Sequence, residues 1–257
     1  MMNELEAILN RRTIRRFKED PIEKETVKKI IEAGRRAPTA CSLQTYTIIW
    51  VKNKEKKEEV WRACGGQTFI LEAPVLFTIC ADIRKITRMM KIVEYESSLE
   101  KGLGYRTKLY SIIDAALVAE NMTIAAEALG LGSAYVGAIA NPKIIEALKL
   151  PKGVLPICIL CIGYPKEDPP LRPRIPIDCT LFIDEYQDTE KEKLENAMKK
   201  MIEKLKEEKY YSKYSNRDTN YTWIDNVRQK LMPNREEEER LINNLRRTGF
   251  IFDEPIK

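Results

Sequence analysis

Arg11-Arg12-Thr13-Ile14-Arg15-Arg16-Phe17 is the stretch of this chain best suited to chemistry. Four guanidinium groups in six positions repel one another unless an anion sits among them. A guanidinium fork matches two phosphate oxygens at once, so a phosphate is the natural counterpart. Thr13 adds a hydroxyl donor, and Ile14 and Phe17 can tie the segment to a core. The pattern reads as a phosphate clamp built into a fold. An arginine-rich solvated face is the competing reading of the same residues.

The chain has no histidine. That rules out Ser-His-Asp and Cys-His catalysis and any His-ligated metal site. Chemistry must come from carboxylates, Lys, Tyr, Cys or a cofactor. Of the six cysteines, Cys158 and Cys161 have C-x-x-C spacing, but within the apolar run Ile157-Cys158-Ile159-Leu160-Cys161-Ile162. In a strand, residues three apart point to opposite faces, so these read as core cysteines and no metal site is expected.

The 257 residues are enough for a sizeable core, and 44% of them are apolar. No unbroken apolar run approaches the roughly 18–20 residues that span a bilayer. Met1 to Arg16 has acidic residues and no apolar h-region, so a cytoplasmic protein without a membrane partner is expected. The net charge of +5 suits anionic small molecules. Aromatics do not alternate with basic stripes, so a nucleic-acid partner is not expected.

These residues must be positioned by alternating helices and strands. Apolar spacing predicts helices over Glu4–Arg11, Glu23 to about Arg36 and Lys54–Arg62, and strands over Thr45–Lys52 and Pro74–Ala81. Asp82–Leu103 reads as a polar helix with an excursion. Tyr110–Leu129 is apolar nearly all round, which makes it either a central buried helix or half of an interface. Gly130 stops it, a strand Ser133–Gly137 follows, and Asn141-Pro142 starts a helix to about Leu150. Leu155–Gly163 is the last strong strand. Tyr164–Pro176 is proline-rich and extended. Beyond it come a charged helix Thr189–Lys209, a loop Tyr210–Tyr221, and helices near Trp223–Leu231 and Arg235–Arg247. The reading is a single domain over 1–257 with a helical excursion from about 180.

The order of these pieces carries a resemblance. Arg-Arg-Thr-Ile-Arg-Arg-Phe is followed by Arg-Arg-Ala-Pro-Thr-Ala-Cys-Ser-Leu-Gln and a Gly-Gly-Gln turn. Then come Ala-Leu-Gly-Leu-Gly-Ser, Tyr-Val-Gly-Ala-Ile, Ile-Cys-Ile-Leu-Cys-Ile-Gly-Tyr-Pro and Leu-Arg-Pro-Arg-Ile-Pro. To about Phe250, the chain resembles the FMN-dependent nitroreductase family. It is most similar to the branch of NADPH-linked flavin reductases and oxygen-insensitive nitroreductases with a C-terminal excursion. The resemblance implies an α+β fold, a mostly antiparallel sheet flanked by helices, in an interlocked homodimer with FMN at the interface.

By the same resemblance, Arg11 and Thr13 bind the FMN phosphate with Arg12 in support, and Arg172 and Arg174 close over it. Alternation along an extended Arg-Pro-Arg would put both of those guanidinium groups on one edge. Position 11 is often histidine in this branch, and arginine keeps the charge. Arg15 is expected near the pyrimidine edge of the ring, where a fixed cation favours the reduced flavin. Gln67 would bond the same edge and Phe69 would line the site. Thr39 and Cys41 belong to the loop that meets the flavin. Tyr135, Val136, Gly137 and Ala138 bring backbone to the ring. Arg217, with Lys209 and Lys213, would meet the 2′-phosphate of NADPH, while NADH remains an alternative donor. The implied reaction is ping-pong hydride transfer from NAD(P)H through flavin to a nitroaromatic, quinone or free flavin, and no residue need act as a general base. A dedicated flavin reductase and a non-enzymatic flavin-binding or sensor protein are the alternatives.

Overall fold

The computed structural model describes residues 3–93, 103–215, 217–232 and 234–251. It divides into two compact units, Met1–Pro169 with Glu239–Lys257, and Pro170–Glu238.

The first unit is built on a four-stranded antiparallel sheet in the order β1-β2-β4-β3. The strands are β1 (Tyr46–Trp50), β2 (Val75–Asp82), β3 (Gly132–Gly137) and β4 (Val154–Gly163). β2 and β4 are buried along their whole length, as their continuous apolar sequences require. Cys158 packs into one hydrophobic cluster and Cys161 into the other, on the opposite faces that their spacing predicts.

α1 (Glu4–Asn10) opens with a capping box, in which Asn3 Oδ1 accepts from the Glu6 amide at 2.9 Å and Glu6 Oε2 from the Asn3 amide at 3.1 Å. α2 (Lys24–Arg35) and α3 (Lys54–Ala63) follow close to their predicted bounds. α4 (Phe69–Glu72) is a single turn with no periodicity to betray it. α5 (Ile83–Ile92) is capped by Asp82, and the rest of the predicted excursion, 94–102, lies outside the described residues. α7 (Pro142–Ala147) begins at its proline.

α6 (Tyr105–Ala128) organises the unit, packing on α1, α2 and the sheet. It begins earlier than the predicted Tyr110 because Gly104 supplies the N-terminal break. By length and composition alone it could cross a membrane, as the core helix of a globular protein also can. No unbroken apolar run exists in it, since Lys108, Asp114, Glu120 and Glu127 punctuate the helix. Here α6 is a core helix: Ala115, Val118, Ala119, Met122 and Ala126 are buried on one side. The other side leaves Leu109 60% and Ile113 52% exposed, and on α1, which packs on α6, Leu5 and Leu9 are each 64% exposed.

In the second unit, Pro170–Pro176 has neither helix nor strand. α8 (Lys191–Glu207) and α10 (Trp223–Leu231) follow the charge-rich helical patterns. Tyr210–Ser215, predicted as loop, is the short helix α9. Helical spacing lets the Tyr210 ring meet Tyr214 at 5.4 Å, and Tyr211 meets Tyr221 at 5.1 Å. The chain re-enters the first unit at Glu239, within α11 (Arg235–Arg247), and Leu241, Leu245 and Phe250 join the first unit's core.

The arginine segment adds itself to the free edge of β3. Thr13 pairs with Ser133, and the Ile14 amide donates to the Ser133 carbonyl at 2.9 Å. Further on, the Lys18 amide donates to the Tyr164 carbonyl and the Lys166 amide to the Arg16 carbonyl, each at 2.9 Å. Two glycines make room for it. A Cβ on Gly132 would stand 2.5 Å from Ile14 Cγ1, and one on Gly163 would stand 2.8 Å from Phe17 Cδ1. Gly132→Ala should therefore cost about 1–3 kcal/mol of stability, as over-packing does. A wild-type urea midpoint for this variant would refute the fit.

Candidate functional site

Ile14 (5% exposed) and Phe17 (2%) are driven into the core beneath the sheet edge, in one cluster with Phe69, Val136 and Ala138. Burying these two fixes the register of the whole segment, and the arginines are left at the rim. Arg11 has no hydrogen bond or ion pair among the described residues. Arg12 pairs through Nη1 with Asp168, while its Nε is buried with no hydrogen-bond acceptor. The Arg15 amide donates to Glu167 Oε1 at 2.6 Å, and Arg16 Nε lies 3.5 Å from Glu72 Oε2. Asp168, Glu167 and Glu72 are partners that the sequence alone does not reveal, since they stand far along the chain.

Beneath this rim lies Glu127, in the last turn of α6. Its Oε1 accepts from Ser133 Oγ at 3.1 Å. Burial pushes its carboxyl up to about 7, against the pull of the Ser133 hydrogen bonds and of Arg11 and Arg12.

Tyr135–Ala138 follows on the same edge strand. Tyr135 hydroxyl accepts from Thr123 Oγ1 at 2.8 Å and donates to Glu120 Oε2 at 3.3 Å, and burial raises its pKa. Gly137 faces open space, with no heavy atom within 4 Å of where a Cβ would stand. Ala138 is buried. Gln67 is exposed after the turn Gly65-Gly66, both glycines at positive φ, and its Nε2 donates to the Cys64 carbonyl at 3.1 Å. Phe69 lines no open face: it is 5% exposed and supports the rim from below.

Thr39 and Cys41 lie on a loop whose backbone is held under strain. Cys41, Ser42 and Gln44 all have left-handed φ, at 49°, 55° and 52°. Such conformations persist where surroundings over-determine them, and they gather at binding sites. The restraint is Asp114 of α6, 1% exposed. Its carboxylate accepts from the Ala40 amide at 3.0 Å, the Thr45 amide at 3.2 Å and Thr45 Oγ1 at 2.7 Å. Sequence reasoning missed Asp114. The available signal was an acid within the apolar run 111–119 of α6, one that had to find buried donors.

In the second unit, Arg172 pairs with Glu208 and its guanidinium lies 4.0 Å from the Tyr210 ring centroid. Arg174 is exposed and turns back on the Arg172 and Pro173 carbonyls at 3.3 and 3.2 Å. Glu208 and the tyrosines thus engage Arg172, while Arg174 bonds only to backbone among the described residues. Arg217 is exposed, its Nη2 donating to Gln229 Oε1 at 3.1 Å and its guanidinium 5.2 Å from the Tyr221 ring. Lys213 Nζ lies 5.0 Å from the Tyr214 ring.

The chain matches the family model described as "Nitroreductase family" over residues 8–164. It is 30% identical to the oxygen-insensitive NADPH nitroreductase of Salmonella typhimurium, covering 89% of this chain and 90% of that protein. It is 32% identical to an FMN reductase (NADPH) of Bacillus subtilis, covering 88% of this chain and 90% of that one. Among solved structures, the NADPH:FMN oxidoreductase of Vibrio harveyi complexed with NAD+ superposes with a TM-score of 0.80 at 27% identity, covering 96% of this chain and 98% of the other.

Asp114→Ala would leave two loop amides without their acceptor and should cost about 3 kcal/mol, the scale of losing hydrogen bonds to a buried charge. Asp114→Asn, which keeps one carbonyl acceptor, should cost less. Urea midpoints of the two variants check this ordering, and equal midpoints would contradict it.

Proposed function

This chain belongs to the nitroreductase family, and we propose that it works as an FMN-dependent reductase that takes a hydride from NAD(P)H and passes two electrons to a nitroaromatic, a quinone or free flavin. The observation that carries the reading is the arginine rim itself. Ile14 and Phe17 anchor the segment, Arg11 lacks an ion pair among the described residues, and Arg12 keeps a buried, unpartnered Nε. A buried donor without an acceptor is costly, and a phosphate oxygen would relieve it. The donor set therefore fits the phosphate of FMN.

FMN, when bound, supplies a ring that accepts hydride and hands on an electron pair. The chain supplies position and charge. Arg11, Arg12 and Thr13 hold the phosphate, and Arg15 presents its charge to the ring edge that becomes negative on reduction. Gln67 bonds that same edge. Gly137, open on its free side, lets the Tyr135–Ala138 backbone approach the ring, with Thr39 and Cys41 on the strained loop also meeting it. Arg172 is already neutralised by Glu208, so the phosphate assignment rests on the first unit's arginines.

The exposed apolar face of α6, with the exposed Leu5 and Leu9 of α1, is the surface we assign to a second copy of the chain. The test is the visible spectrum of the purified protein. A yellow protein bleached by anaerobic NADPH is expected. Yellow colour that NADPH leaves unchanged would favour the flavin-binding or sensor reading, and failure to bind FMN would end the proposal. Ile113→Glu, which charges the free face of α6, should sediment as one chain and lose colour; an unchanged dimer would move the interface elsewhere.

Arg217 is the residue proposed to recognise the 2′-phosphate of NADPH, being exposed and anchored by Gln229. Arg217→Ala should raise the KM for NADPH roughly tenfold or more, the scale of a lost charge-assisted contact, and leave that for NADH nearly unchanged. Equal changes for both donors would refute the assignment.

A further inference from the structure

We propose that Glu127 is a positioning residue of the phosphate clamp, a carboxylate in the field of Arg11 and Arg12 that takes up a proton from water when an FMN phosphate arrives. The inference rests on the reading of the arginine rim as a phosphate site and adds a proton to it.

The geometry runs through one residue. Ser133 is fully buried. Its hydroxyl donates to Glu127 Oε1 at 3.1 Å, and its carbonyl accepts the Ile14 amide at 2.9 Å. Thr13 is its bridge partner. The carboxylate and the clamp backbone are thus bound to the same buried serine. Glu127 also stands in the last turn of α6, at the negative end of the helix dipole, with no basic residue of that helix turn to offset it. Burial and dipole both disfavour its charge. Arg11 and Arg12 favour it, and among the described residues no other charged group of α1, α2, α5 or the sheet bears on it.

Without a phosphate the balance is close, burial pushing the carboxyl up to about 7 against the pull of Arg11 and Arg12. A phosphate dianion beside Arg11 and Arg12 neutralises the charges that keep Glu127 ionised and adds repulsion of its own. The proton affinity of Glu127 therefore rises on binding, and by linkage FMN affinity falls as pH climbs above about 7. The sign is opposite to that of the phosphate's own ionisation near about 6, which makes the ligand a better anion as pH rises. Above about pH 7.5 the phosphate is already a dianion, so Glu127 alone should carry the linkage.

Calorimetric titration of the apoprotein with FMN near pH 8, in buffers of different ionisation enthalpy, counts the protons. The wild type should take up a measurable fraction of a proton with FMN and none with riboflavin, which lacks the phosphate. Its FMN affinity should fall by up to about tenfold per pH unit above about 7, the limit for one linked proton. Glu127→Gln, which keeps the Ser133 acceptor, should show no uptake and a flat profile over that range. FMN binding without proton uptake by the wild type, or equal uptake by Glu127→Gln, overturns this inference alone. An apoprotein that binds no FMN overturns the phosphate site with it. The comparison of FMN with riboflavin needs no variant, so an absence of phosphate-dependent uptake overturns the inference even where Glu127→Gln fails to fold.

Discussion

The structure of the site depends on one short pairing, that of Thr13 and Ile14 with Ser133 at the edge of β3. It converts a run of mutually repelling arginines into an extra edge segment of the sheet. The hydrogen bonds alone would not hold it, since a net intramolecular hydrogen bond contributes only about 1 kcal/mol. Burial of Ile14 and Phe17, about 1.5–3 kcal/mol each, supplies the larger stabilisation. That burial needs the two positions without a side chain, Gly132 and Gly163, whose missing Cβ atoms leave the space the two residues fill. Position along the edge and orientation of the arginines are thus set by apolar packing. Their chemistry is set by charge.

The charge arrangement has its own logic. The rim is not left bare: Asp168 meets Arg12, Glu72 meets Arg16, and Glu127 lies within reach of the fields of Arg11 and Arg12. Asp168 is 85% exposed at its side chain, so its pairing is screened and readily exchanged. Glu127 is different, because it is bonded inward to a buried serine and cannot leave. An arriving anion displaces the first kind of partner and must alter the protonation of the second. A chain without histidine can still couple ligand binding to protons near neutral pH, through a carboxyl that burial has raised.

Much of this was legible in the sequence, and the reason differs by element. α2, α3 and the four strands announce themselves because their periodicity follows from which face is buried. The alternation of strand side chains was enough to put Cys158 and Cys161 on opposite faces. α4 is too short to show a period, and α9 is held by contacts among tyrosines that look like a loop composition. In the site, the arginine run and the glycines at Gly65, Gly66 and Gly137 could be picked out as local motifs. Asp114, Glu127, Glu167 and Asp168 could not, because each matters only through a partner far away in the chain. For the same reason the partner of Arg172 was not legible: strand alternation is a local rule, and Glu208 is a distant acid.

α6 joins these strands of the argument. Its buried face carries Asp114, which fixes the strained loop, and its final turn carries Glu127, beneath the clamp. Its opposite face exposes Leu109, Ile113 and Leu117. A monomer leaving those residues in water would forgo burial of about 1.5–3 kcal/mol for each large side chain that a partner could cover. A second copy seated there would grip the same rigid helix that sets loop and clamp. Association would then stiffen the frame of the site, because a displacement of α6 would have to move both of its faces. The sequence already hinted at this double duty, since a helix apolar nearly all round has more apolar surface than one core can cover.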